Sequence, residues 1–314
     1  MNKLIVLGSV NADHVLQVPS FPRPGETLTG RNYQVIAGGK GANQAVAAAR
    51  LGADIGFIAS VGSDDFGRNI IQQFKHDGIN TAYIQIADSK PTGIAMIQVS
   101  DEGENCICLS PEANDLLISD VVNQYKLPLQ SCDYLLLQLE TPLEGIQSAV
   151  NCAKFSPDKK VNIILNPAPA RTLPDALLAQ IDVITPNETE AEVLTGIKVF
   201  DDGSAQQAAN VLHDKGIHTV MITLGSKGVW LSENAKGELI QGFKVKAIDT
   251  TAAGDTFNGA FVTGLLERMQ TKHAITFAHA AAALSVTRFG AQTSIPTRQE
   301  TNEFLAQQNN QTKK

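Results

Sequence analysis

What most constrains this chain is an alternation. Short, nearly all-apolar runs are separated by longer stretches whose apolar residues recur at helical spacing. Residues 3–8, 55–61, 134–138, 161–166, 181–185 and 219–223 read as strands. Residues 65–77 (stopped by Gly78), 143–155, 188–194 and 204–215 read as helices between them. Strand–helix alternation of this kind builds an α/β fold, in which helices cover both faces of a mostly parallel sheet. The expected core is therefore a three-layer α/β/α sandwich. Two stretches break the alternation. Residues 14–36, HVLQVPSFPRPGETLTGRNYQVI, hold three prolines among short alternating segments, and residues 93–110 read as a hairpin turning at 101–104. Both are β insertions, and they are paired here as a small β-sheet lid. A further hairpin is expected after Gly225, residues 229–232 with 239–243. Three helices close the chain, at 254–268, 271–287 and 297–307, and the first two are apolar nearly all round, as buried helices are. The tail from Gln307, QQNNQTKK, is polar and expected to be disordered. No repeat or linker divides the chain, so one domain over 1–314 is expected, with lid segments at about 14–36 and 93–110.

With 314 residues, 43% hydrophobic and 18% charged, the chain has enough apolar material for a sizeable core. The net charge of −7, with no dense Lys/Arg cluster, argues against nucleic acid as a partner. The N-terminal apolar run breaks at Gly8, which suits a first strand and not a signal peptide. No apolar run approaches the ~20 residues of a membrane span. Cys106, Cys108, Cys132 and Cys152 lack zinc-type pairing and read as free thiols in a reducing cytoplasm.

The chemistry concentrates in residues 247–260, AIDTTAAGDTFNGA. A strand end, a turn of small residues and a helix start bring unpaired backbone N–H groups to one place, and the helix dipole adds to them, so the turn is an anion site. Asp255 stands in the first helical turn beside it. A carboxylate there makes sense if it takes a proton from a hydroxyl that attacks a bound phosphate. Asp is also common at helix starts for local reasons, and on this residue alone both readings stand. Residues 38–51, GGKGANQAVAAARL, form a second Gly turn feeding a helix. A P-loop would need Gly at 34 and Ser or Thr at 41, where the chain has Gln34 and Gly41; a dinucleotide fingerprint would need Gly or Ala at 44, which is Gln44. What survives is a polar cluster in which Gly39, Lys40 and Asn43 offer donors to hydroxyls. Asn11 and Asp13 follow the first strand, at the carboxyl end where open α/β sheets bind ligands, although both residues also favour turns. Asn187 and Glu190 lie three apart at a helix start, which fits either a ligand site or a capping box.

GDTFNGAF resembles the second signature of the ribokinase, or phosphofructokinase-B, family of sugar kinases, and AGGKGANQA resembles its first. GSVNADHV, FPRPGETLTG, LNPAPAR and TPNETEAE extend the resemblance over essentially the whole chain. The resemblance implies a set of roles. Asp255 is the catalytic base, and Ala252, Ala253 and Gly254 form the anion hole. Asn11, Asp13, Gly39, Lys40, Asn43 and Glu140 hold the sugar. Asn187 and Glu190 organise magnesium and phosphate through water. Thr223, Gly225, Ser226 and Gly228 form the ATP turn, with His279 near the adenine; a satisfied core histidine is the alternative for His279. Asp249, Thr251, Ser285, Arg288, Gly290 and Ser294 wrap a monovalent cation such as potassium, mostly through backbone carbonyls. The implied activity is ATP-dependent phosphorylation of D-ribose at the 5-hydroxyl by a homodimer joined through its lids. Other kinases of the family remain open, although a nucleoside would need an aromatic wall and the chain is only 5% aromatic. A non-catalytic sugar-binding protein is disfavoured by the intact Asp255.

Overall fold

The computed structural model describes residues 2–157, 159–234 and 236–311. Among these, the strands in chain order are β1 (Leu4–Leu7), β2 (Asn11–Val18), β3 (Arg31–Gly38), β4 (Ile55–Gly62), β5 (Ile84–Ala87), β6 (Gly93–Ser100) and β7 (Asn105–Ser110). They continue with β8 (Tyr134–Leu137), β9 (Asn162–Leu165), β10 (Val183–Ile184), β11 (Thr219–Thr223), β12 (Gly228–Glu233) and β13 (Lys236–Gln241). The large sheet has nine strands in the order β13-β12-β11-β10-β9-β8-β1-β4-β5. From β11 to β5 every neighbouring pair is parallel, and β12 and β13 add an antiparallel hairpin at one edge.

Strand period decides the layers. Leu4 and Val6 point to one face, where they join residues of the helices Lys40–Arg50, Asp65–His76, Ala253–Leu266 and Thr271–Ser285. Ile5 and Leu7 point to the other, with residues of Leu143–Lys154 and Asp202–Asp214. The result is the expected three-layer α/β/α core. Large side chains such as Phe57, Phe74 and Phe261 are fully buried, each contributing roughly 1.5–3 kcal/mol relative to exposure. Two helices of the first layer touch backbone to backbone. A Cβ on Gly259 would lie 2.6 Å from the Ala47 Cβ and from the Gln44 carbonyl oxygen, so only glycine permits this approach. Asp255 lies one turn before Gly259, and the crossing therefore brings it onto the start of Lys40–Arg50.

β1 is the point where the strand order diverges, with β4 on one side and β8 on the other. The crevice at the carboxyl end of such a strand is where open α/β sheets take ligands. The small sheet, in the order β3-β2-β6-β7, leaves the core there, since only Gly8, Ser9 and Val10 separate β1 from β2. It is the lid.

Several expectations need correction. The first lid strands run from Asn11 and to Gly38, not 14–36, so Asn11 and Asp13 sit in a strand rather than in a turn before it. β5, a half-exposed edge strand, and the short helices between 112 and 131 were not foreseen; none is long enough to show a period. The edge hairpin is tighter than expected. Glu233 pairs with Lys236, and Asn234 turns the chain at φ 52, so the second strand ends at Gln241 and not 243. The last helix, Arg298–Gln311, continues past Gln307 into the stretch expected to be disordered; residues 312–314 of that stretch lie outside the described residues. Among the described residues no helix is long and apolar enough to cross a membrane, and all four cysteines are free.

Candidate functional site

The end of β1 and the start of the helix Lys40–Arg50 are in backbone contact, because Gly41 has no side chain. A Cβ there would lie 2.5 Å from the backbone of Gly8 and Ser9. Gly39 precedes the helix at φ 93, a conformation that favours glycine. The contact aims side chains at one point. Ser9 Oγ donates to Glu140 Oε2 at 2.6 Å, and the Lys40 N–H donates to the same oxygen at 3.0 Å. One step along the helix, Asn43 Nδ2 donates to Asp255 Oδ2 and Gln44 Nε2 to Asp255 Oδ1, each at 2.9 Å. On the lid side, Asn114 Nδ2 donates to Asn11 Oδ1 at 2.8 Å, and the Asn114 side chain also exchanges two hydrogen bonds with the Val10 backbone.

The electrostatics of this cluster are unusual. Asp13 is buried, one of its oxygens has no partner, and burial together with Glu140 and Asp255 pushes its pKa up to about 7, Lys40 offsetting part of the rise. Burial pulls the Lys40 ammonium down, yet it is held above its ordinary value because Asp255, Glu140, Glu190 and Asp13 surround it. Glu190 is raised by burial and by Asp255. Lys40 is thus the cation common to Asp13, Glu140, Asp255 and Glu190.

Ala252 enters the helix Ala253–Leu266 in the left-handed region, φ 58, and no side chain caps that helix. The N–H groups of Ala253 and Thr256 bond back to Thr250 and Ala252, which leaves those of Gly254 and Asp255 to a ligand. A Cβ on Gly254 would meet nothing within 4 Å. Asn187 and Glu190 form a complete capping box, each donating a backbone N–H to the other's side chain at 2.8 Å. The box occupies Oε2 of Glu190. Asn187 pairs with Thr223, so this helix start stands beside the turn of Thr223, Gly225, Ser226 and Gly228, in which both glycines have positive φ. His279 is buried against Phe257, and burial lowers its pKa to about 4, with the Gln241 backbone offsetting part of the fall.

Asp249 clips two loops together. Its carboxylate accepts from the N–H groups of Thr251 and Gly290, both at 2.9 Å. Burial raises its pKa, and these hydrogen bonds outweigh burial and hold it below the ordinary value. Ser285 and Ser294 turn their hydroxyls onto carbonyls of their own turns, and Arg288 pairs with Glu300. What this loop has left to offer a cation is backbone oxygen. Among the described residues no group of three or more His, Cys, Asp or Glu could hold a metal ion.

A cleft of about 260 Å³ lined by Asn11, Asn114, Glu140, Thr141 and Arg171 opens beside this cluster. A larger groove of about 530 Å³, with Lys126, Cys152 and Phe155 in its wall, includes none of the candidate site residues. Ser9, Gln44, Asn114 and Asn166 were missed. Ser9 and Asn166 share the strand-end signal that picked out Asn11; Gln44 and Asn114 are amides that carry no signal until tertiary contacts bury them.

Residues 1–298 match the pfkB family carbohydrate kinases. The chain belongs to that family. The kinase is 58% identical to the ribokinase of Haemophilus influenzae over 302 residues, 96% of this chain and 98% of that one. The crystal structure of ribokinase from Thermotoga maritima superposes at TM-score 0.88 and 39% identity, over 98% of this chain and all of that one. Arabidopsis thaliana ribokinase, solved with ribose and ATP, superposes at 0.87 and 31% identity, over 97% and 98%. The kinase transfers phosphoryl groups from ATP to a sugar, and the parts such a reaction requires are an acceptor pocket, a base and an anion site.

Proposed function

We propose that the kinase phosphorylates D-ribose at the 5-hydroxyl, giving D-ribose 5-phosphate and ADP. One observation carries the reading: Asp255 is at once the first-turn residue of the uncapped helix and the hydrogen-bond partner of Asn43. The base so joins the anion site to the sugar-side cluster. Asn11, Asp13, Gly39, Lys40, Asn43 and Glu140 hold the sugar hydroxyls. Asp255 draws the proton from the 5-hydroxyl as its oxygen attacks the γ-phosphorus. Ala252, Ala253 and Gly254 line the hole in which helix N–H groups stabilise the charge on the transferred group. Thr223, Gly225, Ser226 and Gly228 pass close to the nucleotide, and His279 stands by its base.

The free carboxylate oxygen of Glu190 fits magnesium, which keeps most of its waters and takes one or two carboxylates plus phosphate oxygens. When bound, magnesium neutralises charge on the phosphates. Asp249, Thr251, Ser285, Arg288, Gly290 and Ser294 suit a potassium-type ion held by carbonyls. We also propose that the chain acts as one domain, works in the cytoplasm as its free thiols suggest, and pairs with a second copy through the lid.

The test is ADP release with D-ribose, 2-deoxyribose, fructose and adenosine as acceptors. Ribose should give the highest kcat/KM. A higher value with another acceptor would replace ribose by that compound, and no release with any of them would point to a non-catalytic binding protein.

A further inference from the structure

We propose that Gln44 is a positioning residue of the phosphoryl transfer, holding the Asp255 carboxylate in the orientation in which it meets the acceptor hydroxyl. The inference rests on the reading of Asp255 as the base. Gln44 is fully buried, in a helix whose other buried residues are, apart from Asn43, all Gly, Ala or Val. A buried primary amide is unfavourable there unless its groups are bonded. Gln44 bonds all of them. Nε2 donates to Asp255 Oδ1 at 2.9 Å and to Asn166 Oδ1 at 3.0 Å, and Oε1 accepts from Gln138 Nε2 at 2.7 Å. The Asp255 carboxylate, an acceptor, fixes which end of the Gln44 amide is nitrogen.

Three elements are tied through this one side chain. Gln138 follows β8, Asn166 follows β9, and Asp255 opens the helix Ala253–Leu266. Asn43 alone would hold one carboxylate oxygen and leave the group free to swing about it. With Gln44 on Oδ1 and Asn43 on Oδ2, both oxygens are fixed, and each retains acceptor capacity for a hydroxyl. Both donors are neutral amides, so they orient the carboxylate without placing a charge against it. A residue serving only the packing of this helix would be Leu or Met.

The experiment compares Gln44→Met, which keeps the length and removes the donor, with Gln44→Glu and Asp255→Asn. Steady-state kinetics with ribose and ATP are run from pH ~5.5 to ~9. In Gln44→Met, kcat should fall about 10- to 100-fold, while ribose KM and ADP affinity change less than about threefold. In Gln44→Glu, a carboxylate faces Oδ1, and the acid limb of the kcat profile should move up by about one unit. Asp13 from β2, Lys40 and Glu190 also act on Asp255. They are unchanged in both variants, so the difference from the unaltered enzyme reads position 44. Gln138→Met, one bond further from the base, should lower kcat several-fold with KM unchanged, and it decides the matter if Gln44→Met does not fold. Full turnover in Asp255→Asn would remove the base reading and this inference with it. An inactive Asp255→Asn beside unchanged kcat in the Gln44 and Gln138 variants, or a lower melting temperature as their only effect, would overturn this inference alone.

Discussion

Asp255 and Asp13 are both buried carboxylates of one cluster, and their substitutions should have opposite signatures. Asp255→Asn keeps the size, turns one of the two accepting oxygens into a donor, and removes the proposed base. Turnover should fall by about 10²–10⁴-fold with nucleotide binding nearly intact; near-normal turnover would show that another group takes the proton. Asp13 carries a stability liability. Its pKa in the folded protein is about 7 against an ordinary 3.8. Between those values the folded protein holds a proton that the unfolded chain has released, so stability declines as pH rises through that window. Asp13→Asn should therefore melt higher than the unaltered protein at about pH 8, and no higher near pH 4, while on the proposed reading ribose KM rises because a sugar hydroxyl loses a carboxyl partner. A melting difference independent of pH would show that Asp13 is not protonated on folding. Asp255 and Asn43 could be picked out in the sequence although 212 positions separate them, because each sits in a Gly-rich helix start. Gln44 could not. In the sequence it served only to exclude a dinucleotide fingerprint, and its burial depends on a helix crossing made possible by Gly259, which no local pattern around residue 44 reveals.

At the scale of elements, two glycines at helix starts separate packing from chemistry. Gly41→Ala would drive a methyl into the backbone of Gly8 and Ser9 and should destabilise the fold by about 1–3 kcal/mol. Gly254 faces open space, so Gly254→Ala should hold or raise stability, by up to about 1 kcal/mol through helix propensity. On the proposed mechanism the new methyl crowds the anion hole, so turnover should drop all the same. Thermal melts beside turnover would show whether the two effects part in this way. The Asp249 clip leads to a third expectation. Activity should depend on potassium or a similar ion, since Asp249 joins the 285–294 loop to the turn before the anion hole; full activity in Tris with magnesium alone would remove the cation from the mechanism. The strand–helix alternation made the three layers legible because length and apolarity set each run apart. The edge hairpin was misjudged because its polar turn spreads over ENAKGE, where only tertiary pairing fixes the register.

In the whole molecule, the lid is a four-stranded sheet with apolar residues exposed on both faces. The face bearing Asp13 also bears Ile107 and Leu109, while Val35 and Met96 lie on the opposite face with His14. On the proposed reading, closure over a sugar covers only the first set, and a two-fold pair of lids would cover the second. Light scattering at micromolar concentration should report twice the chain mass, and a fully active monomer would remove the pairing. The path of β2 has one more consequence. The strand that forms the middle of the lid is the strand that carries Asn11 and Asp13, three residues beyond the core. On the proposed reading, recognising the acceptor and shutting the cover over it are one mechanical event. The fold then works as an interlock. Nucleotide alone leaves the cover without its latch, and water gains no sheltered access to the γ-phosphate. A sugar that engages Asp13 badly forfeits turnover as well as affinity, because it fails to close the compartment in which transfer takes place.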